Sequence, residues 1–384
     1  VGTEATDVGS DVPLVQLVAP DGARVTTAEN AAYRDRVAHL TGEDLRRMYR
    51  DMVLTRRFDD EATALQRQGE LALYAQGKGQ EAAQVGSGRA LAPQDYVFPS
   101  YREHGVLQVR GVDPVDRLRL FRGEDHGGWD PAATNTHLYT LVIGSQALHA
   151  TGYAMGVQRD GLVGTGDPGR DTAVVVYFGD GATSQGDVNE GLVFAAVNNA
   201  PVVFFCQNNQ WAISEPTTRQ ARVPIYKRGE GFGVPSVRVD GNDVLACYAV
   251  TAEALERAHS GGGPTFVEAF TYRMGAHTTS DDPTRYRDRA EEDYWRKRDP
   301  IDRLAALLRA EDAWDDAWAA ELDAEAEALG ERLRREVREL GAPPTSAMFD
   351  EVYATPHAQV DEERAWLARY EEETQGDESQ EVAR

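Results

Sequence analysis

The run Ala173-Val174-Val175-Val176-Tyr177-Phe178, followed at once by Gly179-Asp180-Gly181, decides the fold. Unbroken apolar residues, mostly β-branched or aromatic, read as a strand buried on both faces. The glycines after it permit a tight turn and close approach of a ligand. A helix is expected from about Asp187 to Asn198, then Ala200-Pro201. A second buried run follows, Val202-Val203-Phe204-Phe205-Cys206, ending in Gln207-Asn208-Asn209. This is a β-α-β unit, whose two strands point the same way. Asp180 and Asn209 therefore arrive together at the carboxyl edge, where open α/β sheets bind ligands. Two oxygen donors side by side suit Mg²⁺, which completes its octahedron with phosphate oxygens and water. The helix after the turn aims free N–H groups at the same edge, so a diphosphate is the natural guest.

Outward from this unit the same alternation continues. Tyr96-Val97-Phe98, Ser236 to Asp240 and Thr265 to Arg273 are further strand-like runs separated by helical stretches. The expected fold class is therefore α/β, a parallel sheet with helices on both faces. Thr41-Gly42-Glu43-Asp44 resembles a capping box, and Leu45, Met48, Met52 and Val53 recur at helical spacing as far as Gly69. The expected organisation is an arm over 1–40, with a β-like run Leu14–Val18 before a Pro20-Asp21-Gly22 turn. The ligand-binding α/β domain spans 41–290, and a charged helical extension spans 291–370. An acidic tail over 371–384 is expected to lack regular structure.

Composition narrows the function. The 384 residues carry a net charge of −24, a field that repels nucleic-acid backbones and anionic lipid headgroups. No apolar run reaches the roughly 20 residues that span a bilayer, and no targeting segment opens the chain. Cys206 and Cys247 lie in apolar runs and are expected as buried, inert thiols, which fits a reducing cytoplasm. Gly164-Thr165-Gly166-Asp167-Pro168-Gly169 fits a dinucleotide pattern but precedes a strand, so it is a loop. No phosphate-loop nucleotidase motif occurs. His104, His126, His137 and His149 lack metal spacing and are expected to be structural.

Gly179-Asp180-Gly181 through Asn208-Asn209 looks like the thiamine diphosphate fingerprint. The stretches Gly179–Asp187 and Phe205–Ser214 resemble the alpha subunit of the branched-chain 2-oxo acid dehydrogenases, and so do Arg67–Tyr74, Tyr101–Gly105, Val239–Asp243 and Thr271–Arg287. The resemblance runs from about residue 14 to residue 370. It implies a thiamine diphosphate-binding fold with Mg²⁺ held by the side chains of Asp180 and Asn209 and the carbonyl of Trp211. Tyr101 and Arg102 would meet the diphosphate, Ile143 would be the apolar wedge that bends the cofactor, and Gly179, Gly181, Ala182 and Ile213 would line it. His277 would be the catalytic histidine, able to move a proton near neutral pH or to hydrogen-bond a developing charge as the dithiolane opens during acyl transfer. Ser145 and Gln146 match a region that binds K⁺.

The activity implied is decarboxylation of a branched-chain 2-oxo acid of the 3-methyl-2-oxobutanoate type, with the acyl group passed to a lipoyl group of an acyltransferase. The implied partner is a beta subunit in an α₂β₂ heterotetramer, which supplies the glutamate that activates the cofactor. A pyruvate or acetoin dehydrogenase alpha subunit, and a non-catalytic Mg²⁺-diphosphate scaffold, remain alternatives. Departures from the family pattern are Gln185 for a Glu, Ala276 for a His and, relative to animal members, Gln207 for an Arg and Thr278 for a regulatory Ser.

Overall fold

The computed structural model describes residues 12–125, 127–350 and 352–381. The first residues of the expected arm, His126 and the last three residues of the tail therefore lie outside the described residues. Seven strands follow in chain order: β1 (Tyr96–Phe98), β2 (Val174–Gly179), β3 (Val202–Asn208), β4 (Trp211–Ala212), β5 (Glu215–Pro216), β6 (Ser236–Asp240) and β7 (Thr265–Phe270). Five of them form one parallel sheet in the order β1-β2-β3-β7-β6, while β4 and β5 make a small antiparallel hairpin. The α/β class with a parallel sheet covered on both faces is the one the sequence implies.

The faces follow from the period of two along each strand. Val175 and Tyr177 of β2 and Val203 and Phe205 of β3 point to one side, into a core shared with the helices Gly42–Arg67, Glu81–Ala90 and Val244–His259. Val174, Val176 and Phe178, with Val202, Phe204 and Cys206, point to the other, against the helices Ser145–Arg159 and Gly186–Asn198. Helices on both faces leave no solvated side, which is why Val174–Phe178 and Val202–Cys206 are apolar at every position. Both cysteines are buried and free.

Strand ends differ from the sequence expectation for a pairing reason. β3 runs past Cys206 because Gln207 and Asn208 still pair with Ala269 and Phe270. β7 stops at Phe270, where its partners Asn208 and Asp240 also end, so Thr271–Arg273 leave the ladder as a loop. The capping box at Thr41 is present, with Asp44 accepting from the Thr41 backbone N–H and Thr41 Oγ1 accepting from that of Asp44.

The arm and the helical extension pack into the same core as the sheet. Val15 bridges Val239 at the β6 edge, and Val15, Leu17 and Val18 join the core that also takes Leu304, Leu307 and Leu308 of the helix Pro300–Ala310. The helix Asp316–Glu339 lays Leu322 and Ala326 near Leu54, and Leu333 and Val337 near Phe58 and Leu65. The arm also carries a helix, Ala31–Val37. The acidic stretch after Glu371, expected to lack regular structure, continues the helix Ala358–Glu381. Its glutamates and glutamines are good helix formers, so helix forms there without large apolar groups.

One carboxylate fastens the arm. Buried Asp243 accepts from the backbone N–H groups of Leu17 and Val18 at 2.7 and 2.6 Å, and caps the following helix through Leu245 and Ala246 at 3.0 and 3.1 Å. Asp243→Ala would strand these donors, each buried unpaired group costing about 1–3 kcal/mol. The apparent melting temperature of the protein should fall by roughly 5 °C or more. A scan that superimposes on the wild type would show that the arm does not depend on this carboxylate.

Candidate active site

Four of the parallel strands deliver their following residues to one cavity of about 220 Å³ at the carboxyl edge of the sheet. After β1 come Ser100, Tyr101 and Arg102; after β2, Asp180, Gly181 and Ala182. Asn209, Trp211, Ala212 and Ile213 follow β3, and Arg273 and His277 follow β7. Ile143 and Gln146 enter from the start of the helix Ser145–Arg159. Parallel pairing brings this about: Gly179 lies opposite Gln207, so Asp180 and Asn209 leave adjacent strands side by side.

Asp180 opens a short 3-10 turn, Asp180–Ser184, before the helix Gly186–Asn198. Its side chain is almost wholly buried, and Oδ2 accepts from Gln220 Nε2 at 3.0 Å and Thr217 Oγ1 at 3.2 Å. Burial pushes its pKa up to about 6, against the pull of these hydrogen bonds. Gly181 tolerates no side chain, because a Cβ there would lie 2.8 Å from that of Ala212. Asn209 Nδ2 donates to Gln80 Oε1 at 3.1 Å, and Asn209 Oδ1 accepts from the Trp211 N–H at 3.2 Å. Ile213 takes a positive φ of 57°, uncommon for a β-branched residue, at the tip of the β4–β5 hairpin.

Two buried guanidiniums flank His277. Arg102 Nη2 donates to the His277 carbonyl at 2.9 Å and meets Nδ1 at 3.3 Å; Arg273 Nη1 also meets Nδ1 at 3.3 Å. Arg273 further holds the carbonyls of Trp211 at 2.9 Å and Ile213 at 2.8 Å. An arginine donates and never accepts, so Nδ1 carries the lone pair and the proton sits on Nε2. Burial, and then the Arg102 and Arg273 charges, push the His277 pKa down to about 3. Titration near neutrality is therefore corrected, since burial and the two arginines hold the ring neutral, and of the two expected roles the hydrogen bond to a developing charge is the one left. Its loop is tied by Asp281, which accepts from the His277 N–H at 2.8 Å and from the Tyr286 hydroxyl.

The donor set fits a magnesium diphosphate. Asp180, the Asn209 amide and the Trp211 carbonyl are hard oxygen groups, and the carbonyl can keep its bond from Arg273 with one lone pair while offering the other. Three oxygen donors leave half of an octahedron for phosphate oxygens and water. Arg102 and Arg273 place two positive charges beside this donor set. Burial and the neighbouring Arg102 push the Arg273 pKa down to about 10, and its buried Nε finds no acceptor among the described residues.

The structure brings together every residue that the family resemblance carried over to thiamine diphosphate and Mg²⁺, and all of them line this cavity. Of the two residues matched to a potassium region, Gln146 lines the cavity and donates to the Tyr177 carbonyl at 2.9 Å, whereas Ser145 Oγ donates to the Val142 carbonyl at 2.8 Å. Gln207 does not reach toward an anion; it donates to Glu103 Oε1 at 2.6 Å and accepts from Gln84 Nε2 at 3.0 Å. Of the histidines expected to be structural, buried His104 bridges Tyr139 and the Ala75 carbonyl, His137 stacks on Phe98 and His149 is exposed, while His126 lies outside the described residues. Sequence reasoning missed Arg273 and Gln80. Arg273 lies inside the matched stretch Thr271–Arg287, which was the available signal.

One buried carboxylate, Asn209 and two buried arginines thus meet at one sheet edge. The family model of the dehydrogenase E1 component matches residues 49–343, and the chain belongs to that family. It is 47% identical over 351 residues to the 3-methyl-2-oxobutanoate dehydrogenase subunit alpha of Mycobacterium tuberculosis strain H37Rv, covering 91% of each chain. It is 40% identical over 330 residues to the pyruvate dehydrogenase E1 component subunit alpha of Acholeplasma laidlawii, covering 84% of this chain and 92% of that one. The corresponding subunit of Staphylococcus epidermidis strain ATCC 12228 is 38% identical over 309 residues, 80% of each chain.

Proposed function

We propose that this chain is the alpha half of a branched-chain 2-oxo acid dehydrogenase that decarboxylates substrates of the 3-methyl-2-oxobutanoate type. The observation that carries the reading is the gathering of Arg102, Asp180, Asn209, Arg273 and His277 at one sheet edge, in a chain more similar to the branched-chain relative than to the pyruvate ones. Thiamine diphosphate, when bound, supplies the electron sink for loss of carbon dioxide and the carbon that carries the acyl group. Asp180, Asn209 and the Trp211 carbonyl hold its Mg²⁺, and Tyr101 and Arg102 meet the diphosphate. Gly179, Gly181, Ala182 and Ile213 form the wall, with Ile143 as the apolar wedge. Gln146 and Ser145 are the place for K⁺. The Nε2–H of His277 donates a hydrogen bond to charge that develops as the acyl group leaves for a lipoyl group of the acyltransferase.

A partner is part of the reading. The cavity is smaller than the roughly 300–1,000 Å³ usual for a ligand pocket, and its rim is apolar and open. Val142, Ile143 and Ile213 are exposed there, and Val197 is 80% exposed on the helix Gly186–Asn198. A beta subunit that covers this face and completes the site, in an α₂β₂ assembly, fits these features. Co-expression with a beta-type chain should give an enzyme whose kcat/KM is about tenfold or more higher on 3-methyl-2-oxobutanoate than on pyruvate, within the range methylene differences allow. The isolated chain should self-associate and show no turnover. Equal rates on both acids would favour the pyruvate reading; turnover by a monodisperse alpha chain would overturn the shared site.

A further inference from the structure

Asp59 lies in the middle of the helix Gly42–Arg67, next to Asp60 and Glu61, yet it is only 1% exposed. Its carboxylate makes two bonds in two directions. Oδ1 accepts from the Tyr74 hydroxyl, and Oδ2 accepts from the Gly77 N–H at 2.7 Å. Burial raises its pKa to about 7, which marks it as a carboxylate kept at a cost.

What these bonds secure is the strip Tyr74–Gln80, which touches the candidate site repeatedly. Tyr74 exchanges two hydrogen bonds with Thr279: its carbonyl accepts from the Thr279 N–H at 3.0 Å, and its N–H donates to Thr279 Oγ1 at 3.2 Å. The Gln76 carbonyl accepts from Arg102 Nη1, and the loop closes so tightly on Gln76 that a Cβ at Gly275 would lie 2.5 Å from its side chain. The Lys78 carbonyl accepts from the Met274 N–H at 3.0 Å, and Gln80 meets Asn209. The strip thus fixes both the backbone around His277 and the guanidinium beside it.

We propose that Asp59 is a positioning residue, whose carboxylate pins Tyr74 and Gly77 and thereby sets the His277 loop and Arg102. It touches no reacting atom. The role of His277 here rests on the proposed function, whereas the mechanical coupling does not. An asparagine keeps a single acceptor oxygen: with the Gly77 N–H bonded, its NH₂ faces the Tyr74 hydroxyl, which must turn to accept and loses its own acceptor, so the pin on Tyr74 is not preserved.

Hydrogen exchange read by mass spectrometry on the assembled enzyme tests the coupling without turnover. In Asp59→Asn the amides of residues 271–281 should exchange about tenfold faster, while β2 and β3 keep wild-type protection. The rate of lipoyl acylation should fall about tenfold with the KM for the 2-oxo acid within about twofold, because what is lost is orientation. Leu118→Ala, a cavity in the same apolar cluster, should lower the melting temperature and leave exchange at 271–281 slow. Wild-type exchange there in Asp59→Asn, or equal loosening in Leu118→Ala, would overturn the proposal. Should Asp59→Asn not assemble, Tyr74→Phe decides, since it releases one of the two bonds and keeps the ring. Faster exchange confined to 271–281 supports the coupling, and unchanged exchange ends it. An assembled wild-type enzyme inactive on branched-chain 2-oxo acids would refute the function and leave the exchange result standing.

Discussion

Replacing Asp180 by alanine should weaken binding of thiamine diphosphate to the assembled enzyme at least tenfold, read by calorimetry at fixed magnesium concentration. The reason is local charge. Among the residues placed at the metal, Asp180 is the carboxylate, and Asn209 and the Trp211 carbonyl bring oxygen without charge. A diphosphate bound without its divalent ion leaves charge that Arg102 and Arg273 compensate only in part. A tenfold loss corresponds to about 1.4 kcal/mol, small beside the electrostatics of a buried phosphate, so the figure is a lower bound. Asp180→Asn separates charge from packing, because an amide oxygen can still accept from Gln220 and Thr217. Both variants should bind the cofactor weakly and with little response to added magnesium. Affinity as in the wild type for either would remove Asp180 from the metal site.

Much of this site is legible in the sequence because a parallel β-α-β unit is a rigid ruler. Once Val174–Phe178 and Val202–Cys206 are read as neighbouring strands, Asp180 and Asn209 have one place to go. Arg273 and Asp59 are illegible for the opposite reason. An arginine just past a strand, or an aspartate within Asp59-Asp60-Glu61, reads as a solvated charge. Each is buried only because distant segments close over it: the β4–β5 hairpin supplies carbonyls to Arg273, and the strip Tyr74–Gly77 supplies donors to Asp59. The hairpin carbonyls and the strip donors lie 15 or more residues away in the chain, beyond any local pattern. The same holds for the arm, whose β-like run is visible at Leu14–Val18 but whose attachment to Val239 and Asp243 is a tertiary fact.

The neutral state of His277 alters what its removal should do. A histidine near neutrality could carry a proton, but this one faces two guanidiniums through Nδ1 and has its pKa pushed down to about 3. Between about pH 5 and 8 it stays the Nε2–H tautomer, so it contributes a hydrogen-bond donor and no ionisation of its own to the rate profile. Decarboxylation draws on the cofactor's electron sink and makes no demand on this donor. Acyl transfer does, because charge builds where the lipoyl group departs with the acyl carbon. His277→Ala should therefore lower lipoyl acylation and overall activity by about 10²-fold, as deletion of a single preorganised donor does. Decarboxylation followed with an artificial electron acceptor should fall far less. His277→Gln returns an N–H donor and should recover roughly tenfold of the loss, whereas a proton carrier would not be rescued by an amide. Equal losses in both assays with cofactor affinity intact would place His277 before carbon dioxide leaves. Glutamine no better than alanine would mean that a proton moves through this imidazole after all, and that the beta subunit or the cofactor lifts it out of the grip of Arg102 and Arg273.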